Sequence, residues 1–413
     1  MSSAFDKNVV HLSNRIDRME SLFQFQAGVL KGVTNSFRRY LHKEIHWDQK
    51  MVAIKGPRGS GKTTLILQHL KYDLDPAEVL YTTADHTWFY SHTLMDVADE
   101  WSKLGGKYLF IDEVHKYPGW SRELKNIYDG YPDLKVVFTA SSALEIFRGE
   151  ADLSRRVISY SLNGMSFREY LLFKEKKEFP IIKLSELESK HLQFSNSVIE
   201  SFKPLIEFKK YLEYGYLPII AEGMQTYKMK LNGIINTIVD TDLAYITGYN
   251  SGTSHKLKKL LGVIAQSVPF KPNIASIANK LDLSRDSVYQ YIYRLRDAGL
   301  LNTIAFEGKG ISTLQKPEKV FLENTNLSYV LQEAPDVGNL METFVLNQLL
   351  NSGTEVYATN EGDFRTDSLV IEVGGKNKTG RQVNHLKNYL IAADNIEFGY
   401  GNKIPVWLLG FLY

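Results

Sequence analysis

The sequence predicts an α/β protein that opens with a parallel sheet covered by helices and continues into helical segments and a small second α/β module. Three observations carry this. From Met51 to Thr139, short β-branched or aromatic runs alternate with helical segments, the pattern of a parallel sheet with helices on both faces. The stretch "GPRGSGKT" (Gly56 to Thr63) lies between the first of those runs and a helical segment. After about Tyr170 the strand signals give way to helical ones.

The strands are expected at "MVAIK" (51 to 55), "EVLYTT" (78 to 83), "KYLFID" (107 to 112) and "KVVFTA" (135 to 140), with a helix over 64 to 72. Residues 171 to 250 read as helical: "KEKKE" (174 to 178) as a solvated face or loop, Val198 to Glu213 as an amphipathic stretch. From Ser254 to about Leu301 come three helix-like pieces, then "EGKGIS" (307 to 312) between two apolar runs, which together read as a helix-turn-helix followed by a hairpin wing. Within it, Ser284 is placed to cap the second helix. Val288, Ile292 and Leu295, with Tyr291 beside them, share its buried face. The opposite face offers Arg285, Tyr289, Gln290, Tyr293 and Arg294, suited to phosphate and base-edge contacts in a DNA major groove, with Asp286 opposing. From about Leu340 follow one helix ("LMETFVLNQLLN") and several short strands, and "IPVWLLGFLY" (404 to 413) reads as a buried strand. The expected domains are 1–170, 171–250, 251–335 and 336–413.

Composition limits the functional classes. At 413 residues the chain has room for about three ordinary domains. Its 49 Lys plus Arg against 47 Asp plus Glu leave a net charge of +2, so any nucleic-acid binding must be local. The absence of cysteine excludes disulfides, thiolate metal sites and cysteine nucleophiles. No secretion signal and no apolar run long enough to span a bilayer is apparent, and a cytoplasmic location without membrane association is expected.

"GPRGSGKT" matches G-x-x-x-x-G-K-[ST] at every defined position, in the strand-to-helix context that such a loop requires. Glycines let backbone N–H groups turn toward a β-phosphate, Lys62 reaches β and γ oxygens, and Thr63 lends its hydroxyl to Mg²⁺. Gly56, Pro57, Arg58, Gly59, Ser60, Gly61, Lys62, Thr63 and Thr64 are therefore the candidate ATP-binding residues. About 50 residues on, "YLFIDEVHK" (108 to 116) is an apolar strand ending in two acids. Asp112 is placed to hold Mg²⁺ with Thr63, and Glu113 to polarise the attacking water. In "TASS" (139 to 142), Ser141 or Ser142 is a candidate sensor of the γ-phosphate, with a helix N-cap as the alternative. Arg156 in "LSRRVISYSL" is a candidate phosphate contact, within one subunit or across an interface, with surface salt bridging as the alternative for Arg155.

These residues, with "LNGMSFREYL" (162 to 171), "YLEYGYLP" (211 to 218) and "DTDLAY" (240 to 245), resemble the AAA+ ATPases of the archaeal and bacterial branch allied to STAND ATPases. Many of that branch carry a C-terminal nuclease-like domain. The resemblance implies a P-loop AAA+ core, a helical lid, a winged helix and a small restriction-endonuclease-like domain, with ATP and Mg²⁺ as ligands. It further implies that Pro218 packs near the adenine, and it leaves a protein partner and a homo-oligomer open.

"DFRTDSLVIEVGGKNK" (363 to 378) bears on the last domain. A metal-dependent nuclease of this kind needs an acid, then an acid-x-lysine on the next strand. Asp363 and Glu372 supply acids and Glu342 a third, but Gly374 stands where the lysine belongs; Lys376 and Lys378 follow two and four residues later. A lysine reaching back from the loop and a decayed site both fit this pattern.

Overall fold

The computed structural model describes residues 2–141, 153, 155–244, 251–266, 273–308 and 316–413, with side chains from residue 17 onward. The chain divides into two compact units, Met1–Asn163 and Gly164–Tyr413.

The first unit opens with a helix, α1 (Ser2–Lys31). It continues through β1 (Met51–Gly56), α2 (Lys62–Asp73), β2 (Val79–Thr83), α3 (Leu94–Lys103), β3 (Tyr108–Asp112), α4 (Trp120–Gly130), β4 (Lys135–Ser141) and β5 (Ile158–Ser161). The five strands form one sheet in the order β2-β3-β4-β1-β5, and every pairing is parallel. The four expected strands lie within one residue of their predicted ends. They are apolar on both faces because both faces are covered. Met51, Ala53, Leu109 and Ile111 pack with Met19, Leu22 and Val97 on one side, and Val52, Ile54 and Phe110 pack with Leu65, Ile66 and Leu70 on the other. Strand order reverses at β1, so the carboxyl ends of β1 and its neighbours form the crevice where open parallel sheets bind ligands.

The second unit is mainly helical at first: α5 (Phe167–Glu175), α6 (Leu187–Ile199), α7 (Pro204–Lys210), α8 (Met224–Thr237) and α9 (Ser251–Ala265). The amphipathic stretch expected over 198–213 is broken, because Pro204 cannot continue α6 and instead starts α7 at its first turn. Next come α10 (Ile274–Leu281) and α11 (Arg285–Asp297), joined by a three-residue turn, with the Ser284 side chain accepting from Ser287 N at 3.1 Å. Val288, Ile292 and Leu295 are fully buried. Strands β6 (Leu301–Ile304) and β7 (Lys319–Leu322) pair antiparallel; residues 309–312 of the expected wing lie outside the described residues.

After α12 (Thr325–Leu331) and α13 (Val337–Asn351), a four-stranded sheet runs β11-β10-β9-β8, built from β8 (Phe364–Arg365), β9 (Val370–Gly374), β10 (Tyr389–Ala393) and β11 (Lys403–Pro405). Only β8 runs antiparallel to its neighbour. The segment read as a strand over 404–413 is corrected: β11 ends at Pro405, and Val406–Phe411 forms a buried 3-10 helix. A run that is apolar at every position has no period to separate the two forms.

Candidate functional site

Residues 57–61 connect β1 to α2, with Gly59 at φ +80° and Gly61 at φ +93°, a backbone region that favours glycine. Gly56 is irreplaceable for a different reason: a Cβ there would lie 2.2 Å from the Leu162 carbonyl oxygen. The Lys62 amine is buried and donates to the carbonyls of Gly56 (2.8 Å) and Pro57 (3.0 Å), so it lies within the loop. Ser60 Oγ is buried without a hydrogen-bond partner. Arg39, itself buried, donates to the Ser60 carbonyl and, at 2.8 Å, to that of Asn163, bracing the loop from below.

Facing the loop, β3 delivers Asp112. Its Oδ2 accepts from Thr63 Oγ1 at 2.6 Å and from Tyr81 OH at 3.1 Å, and its Oδ1 accepts from Thr139 Oγ1. Burial and the Asp112 carboxylate push the Tyr81 hydroxyl far above its ordinary value, so it stays a donor. Glu113 follows at φ +49°, and its N–H donates to Thr139 Oγ1 at 2.9 Å. Its carboxylate pairs with Arg58 Nη1 at 3.5 Å and with Lys116 Nζ. Burial works to raise the Glu113 pKa, but Lys116, Arg58 and His115 outweigh it and hold the group below the usual range.

Several other candidates fall elsewhere. Ser141 ends β4, and its Oγ lies 3.1 Å from His115 Nε2; Ser142 lies outside the described residues. Arg156 is corrected as a phosphate contact within the subunit. It grips Asp129 through two bonds, 2.9 and 3.0 Å, at the last turn of α4, just before β5 begins. In a parallel sheet, residues that precede a strand lie at the end opposite the loop. Arg155 is exposed, and Pro218 opens a 3-10 turn (Pro218–Glu222) in the second unit. Tyr81 and Thr139 were missed as Asp112 partners; a hydroxyl inside an apolar, fully buried strand was the available signal.

A third grouping was also missed. His42 Nε2, His69 Nδ1 and Asp73 Oδ2 lie within 4.8 Å of one another. The Arg38 guanidinium fills the position a cation would take, donating to both Asp73 oxygens at 2.8 and 3.0 Å. This cluster is an ion pair flanked by His69, which burial pushes down to about 4 and which stacks on Trp47 at 3.8 Å.

In the second unit, Glu342 of α13, Asp363 before β8 and Glu372 of β9 converge. Asp363 Oδ2 accepts from Val373 N at 2.8 Å. Of the two candidate lysines, Lys378 Nζ lies 2.5 Å from Glu372 Oε1, whereas Lys376 is exposed. Bare Gly374 makes room for this: a Cβ there would lie 2.8 Å from Lys378 Cδ. Lys319 of β7 adds a second amine 3.9 Å from both Glu342 Oε2 and Asp363 Oδ1. Burial, then Asp363, pushes Glu342 up to about 7, and burial raises Glu372.

Comparison with known proteins finds a family match over the first unit's sheet. Residues 48–171 match the family described as an AAA domain. The matched residues contain the five-stranded parallel sheet and the loop after β1, so this segment is similar to a nucleotide-binding domain of AAA type. Over 410 residues the chain is 27% identical to Uncharacterized protein MJ1637 of Methanocaldococcus jannaschii, covering 90% of this chain and 86% of that protein. A 98-residue stretch, 24% of this chain and 64% of the relative, is 30% identical to the HTH-type transcriptional regulator NsrR of Bacillus subtilis. Among solved structures it is similar to AMPPCP-bound DnaA from Aquifex aeolicus, with 13% identity over 68% of this chain and 88% of that one and a TM-score of 0.26. It is also similar to C. elegans PCH-2, with 18% identity over 43% of this chain and 47% of that one and a TM-score of 0.22. No helix among the described residues is long and apolar enough to cross a membrane.

Proposed function

We propose that this chain is an ATP-hydrolysing switch whose first unit turns over Mg-ATP to move modules of the second. The observation that carries this is the Thr63–Asp112 contact at 2.6 Å: the loop hydroxyl and the strand carboxylate share one point at the mouth of the phosphate loop. Those two oxygens would hold Mg²⁺, which would offset the charge of the phosphate oxygens. The N–H groups of 58–61 and the start of α2 would bind phosphate. The buried, unpartnered Ser60 hydroxyl offers a further donor, and Lys62 turns its amine from loop carbonyls to phosphate oxygens. Glu113 orients a water and accepts its proton.

The boundaries 171–250 for a lid, 251–335 for a winged helix and 336–413 for a nuclease-like module belong to the same proposal. DNA is the favoured partner of the second unit. Support comes from the outward face of α11, where Arg285 and Gln290 are exposed and Tyr289 and Tyr293 stack, and from the likeness to a protein named as an HTH-type regulator. A DNA-binding protein in which ATP only sets the conformation is the alternative. Glu113→Gln separates the two: a switch that turns over should retain bound ATP and lose activity, whereas unchanged behaviour would favour gating alone. Convergence of Glu342, Asp363 and Glu372 with Lys378 supports a second reading, metal-dependent cleavage of nucleic acid. Cutting in Mg²⁺ or Mn²⁺ that Glu372→Ala leaves intact would reject it.

A further inference from the structure

The Glu113 carboxylate has ion-pair partners on both oxygens. Oε1 faces Arg58 Nη1 at 3.5 Å, and Oε2 faces Lys116 Nζ. Lys116 in turn lies 2.5 Å from Asp85 Oδ2, while Asp85 Oδ1 accepts from Thr83 Oγ1 at 2.6 Å, at the last residue of β2. A row of alternating charges thus runs Arg58–Glu113–Lys116–Asp85, from the phosphate loop across the tips of β3 and β2. A base needs a free oxygen within hydrogen-bond reach of the water it activates. With a cation facing each oxygen, Glu113 is a weaker base toward water than an unpaired carboxylate.

The two cations differ in what can displace them. Lys116 is held by a second carboxylate, Asp85, on the far side of Glu113 from the loop. Arg58 belongs to the loop itself, the third residue of "GPRGSGKT", and its side chain, though mostly covered, keeps about a fifth of its surface exposed. A guanidinium binds phosphate through two parallel bonds, and a terminal phosphate carries more charge than one carboxylate. The 3.5 Å pairing with Glu113 is a looser arrangement than such a fork.

We propose that Arg58 is a positioning residue that holds Glu113 in reserve and transfers to the terminal phosphate of a bound nucleoside triphosphate, freeing Oε1 for water. Lys116, anchored by Asp85, keeps Glu113 oriented through Oε2 meanwhile. A diphosphate offers no terminal group in that position and leaves Arg58 on Glu113, so the base is released only when there is a bond to cut. This inference rests on the ATPase reading above and assigns its regulation.

The test uses the full chain and measures affinity for ATP and ADP separately, with steady-state kcat and KM. Arg58→Ala should weaken ATP binding about tenfold while leaving ADP within about twofold, raising KM more than it lowers kcat. Arg58→Lys, which keeps the charge without the fork, should fall between. Removing the competing carboxylate should make Arg58 more available: Glu113→Gln should tighten ATP binding about threefold in the parent chain and have no such effect when Arg58 is already alanine. A general loosening of the loop would lower ATP and ADP affinity together and show no coupling to Glu113; that result overturns the assignment. Wild-type protein that neither binds nor hydrolyses ATP would overturn the ATPase reading and this inference with it, whereas normal wild-type turnover with equal losses for both nucleotides sinks this inference alone.

Discussion

Replacing Glu323 by glutamine should change how stability depends on pH. Glu323 is partly buried in the second unit, where Oε1 accepts from Tyr216 OH at 2.5 Å and Asn347 Nδ2 at 3.0 Å, and Oε2 accepts from Asn324 Nδ2 at 2.6 Å. Burial outweighs these donors and pushes the carboxyl up to about 7 from 4.5. The folded chain therefore holds this proton where the unfolded chain has lost it. Stability from this group is greatest below pH 4.5, declines as pH rises toward about 7 and is level above. At about 1.4 kcal/mol per pH unit, the loss between pH 4.5 and pH 8 is roughly 3 kcal/mol. Glutamine does not titrate, but its amide nitrogen meets the Asn324 donor, and the lost bond costs about 1 kcal/mol. Urea unfolding of both chains from pH 5 to pH 8 should show the variant less stable at the acid end, with a crossing between about pH 5 and 6, and about 2 kcal/mol more stable at pH 8. Parallel curves with a constant gap would refute the reasoning.

Gly56→Ala should destabilise the first unit by about 3 kcal/mol or more, because a Cβ 2.2 Å from the Leu162 carbonyl would lift β5 from β1; a loss under about 1 kcal/mol in urea unfolding would contradict this. On the second unit, Arg285→Ala should reduce the salt slope of DNA binding by about one while lowering affinity for all sequences alike; an unchanged slope would remove this residue from the interface. Any Mg²⁺-dependent cutting should disappear with Glu372→Ala and fall at least tenfold with Lys378→Ala, measured on labelled duplex.

The parallel sheet was legible because four of its strands, β1 to β4, are largely buried and therefore read as mostly apolar runs, whereas the edge strand β5 is exposed. The phosphate loop and the Asp112–Glu113 pair were legible because chemistry fixes their residue types at fixed spacing. What sequence order could not show is how distant side chains meet. Thr139 and Tyr81 reach Asp112 only because β2, β3 and β4 are neighbours in the sheet. Lys378 returns to Glu372 because the turn closed by Lys378 N on Gly375 O, at 2.9 Å, folds it back over a glycine; counting along the strand could not choose between Lys376 and Lys378. For Arg156 the signal was present but misread, since a residue just before a parallel strand belongs at the far end from the loop. Val406–Phe411 shows the limit of periodicity itself, as a fully apolar run carries none.

The central claim is that the loop at Gly56 and the acids at 112 and 113 form an ATP-hydrolysing centre. Phosphate release from ATP, measured with wild type and Lys62→Ala in the presence of Mg²⁺ and again with excess chelator, tests it most directly. Turnover by wild type that vanishes both on chelation and in Lys62→Ala, together with loss of ATP binding in the variant, is the predicted result. Equal nucleotide binding and equal phosphate release by the two chains would contradict it.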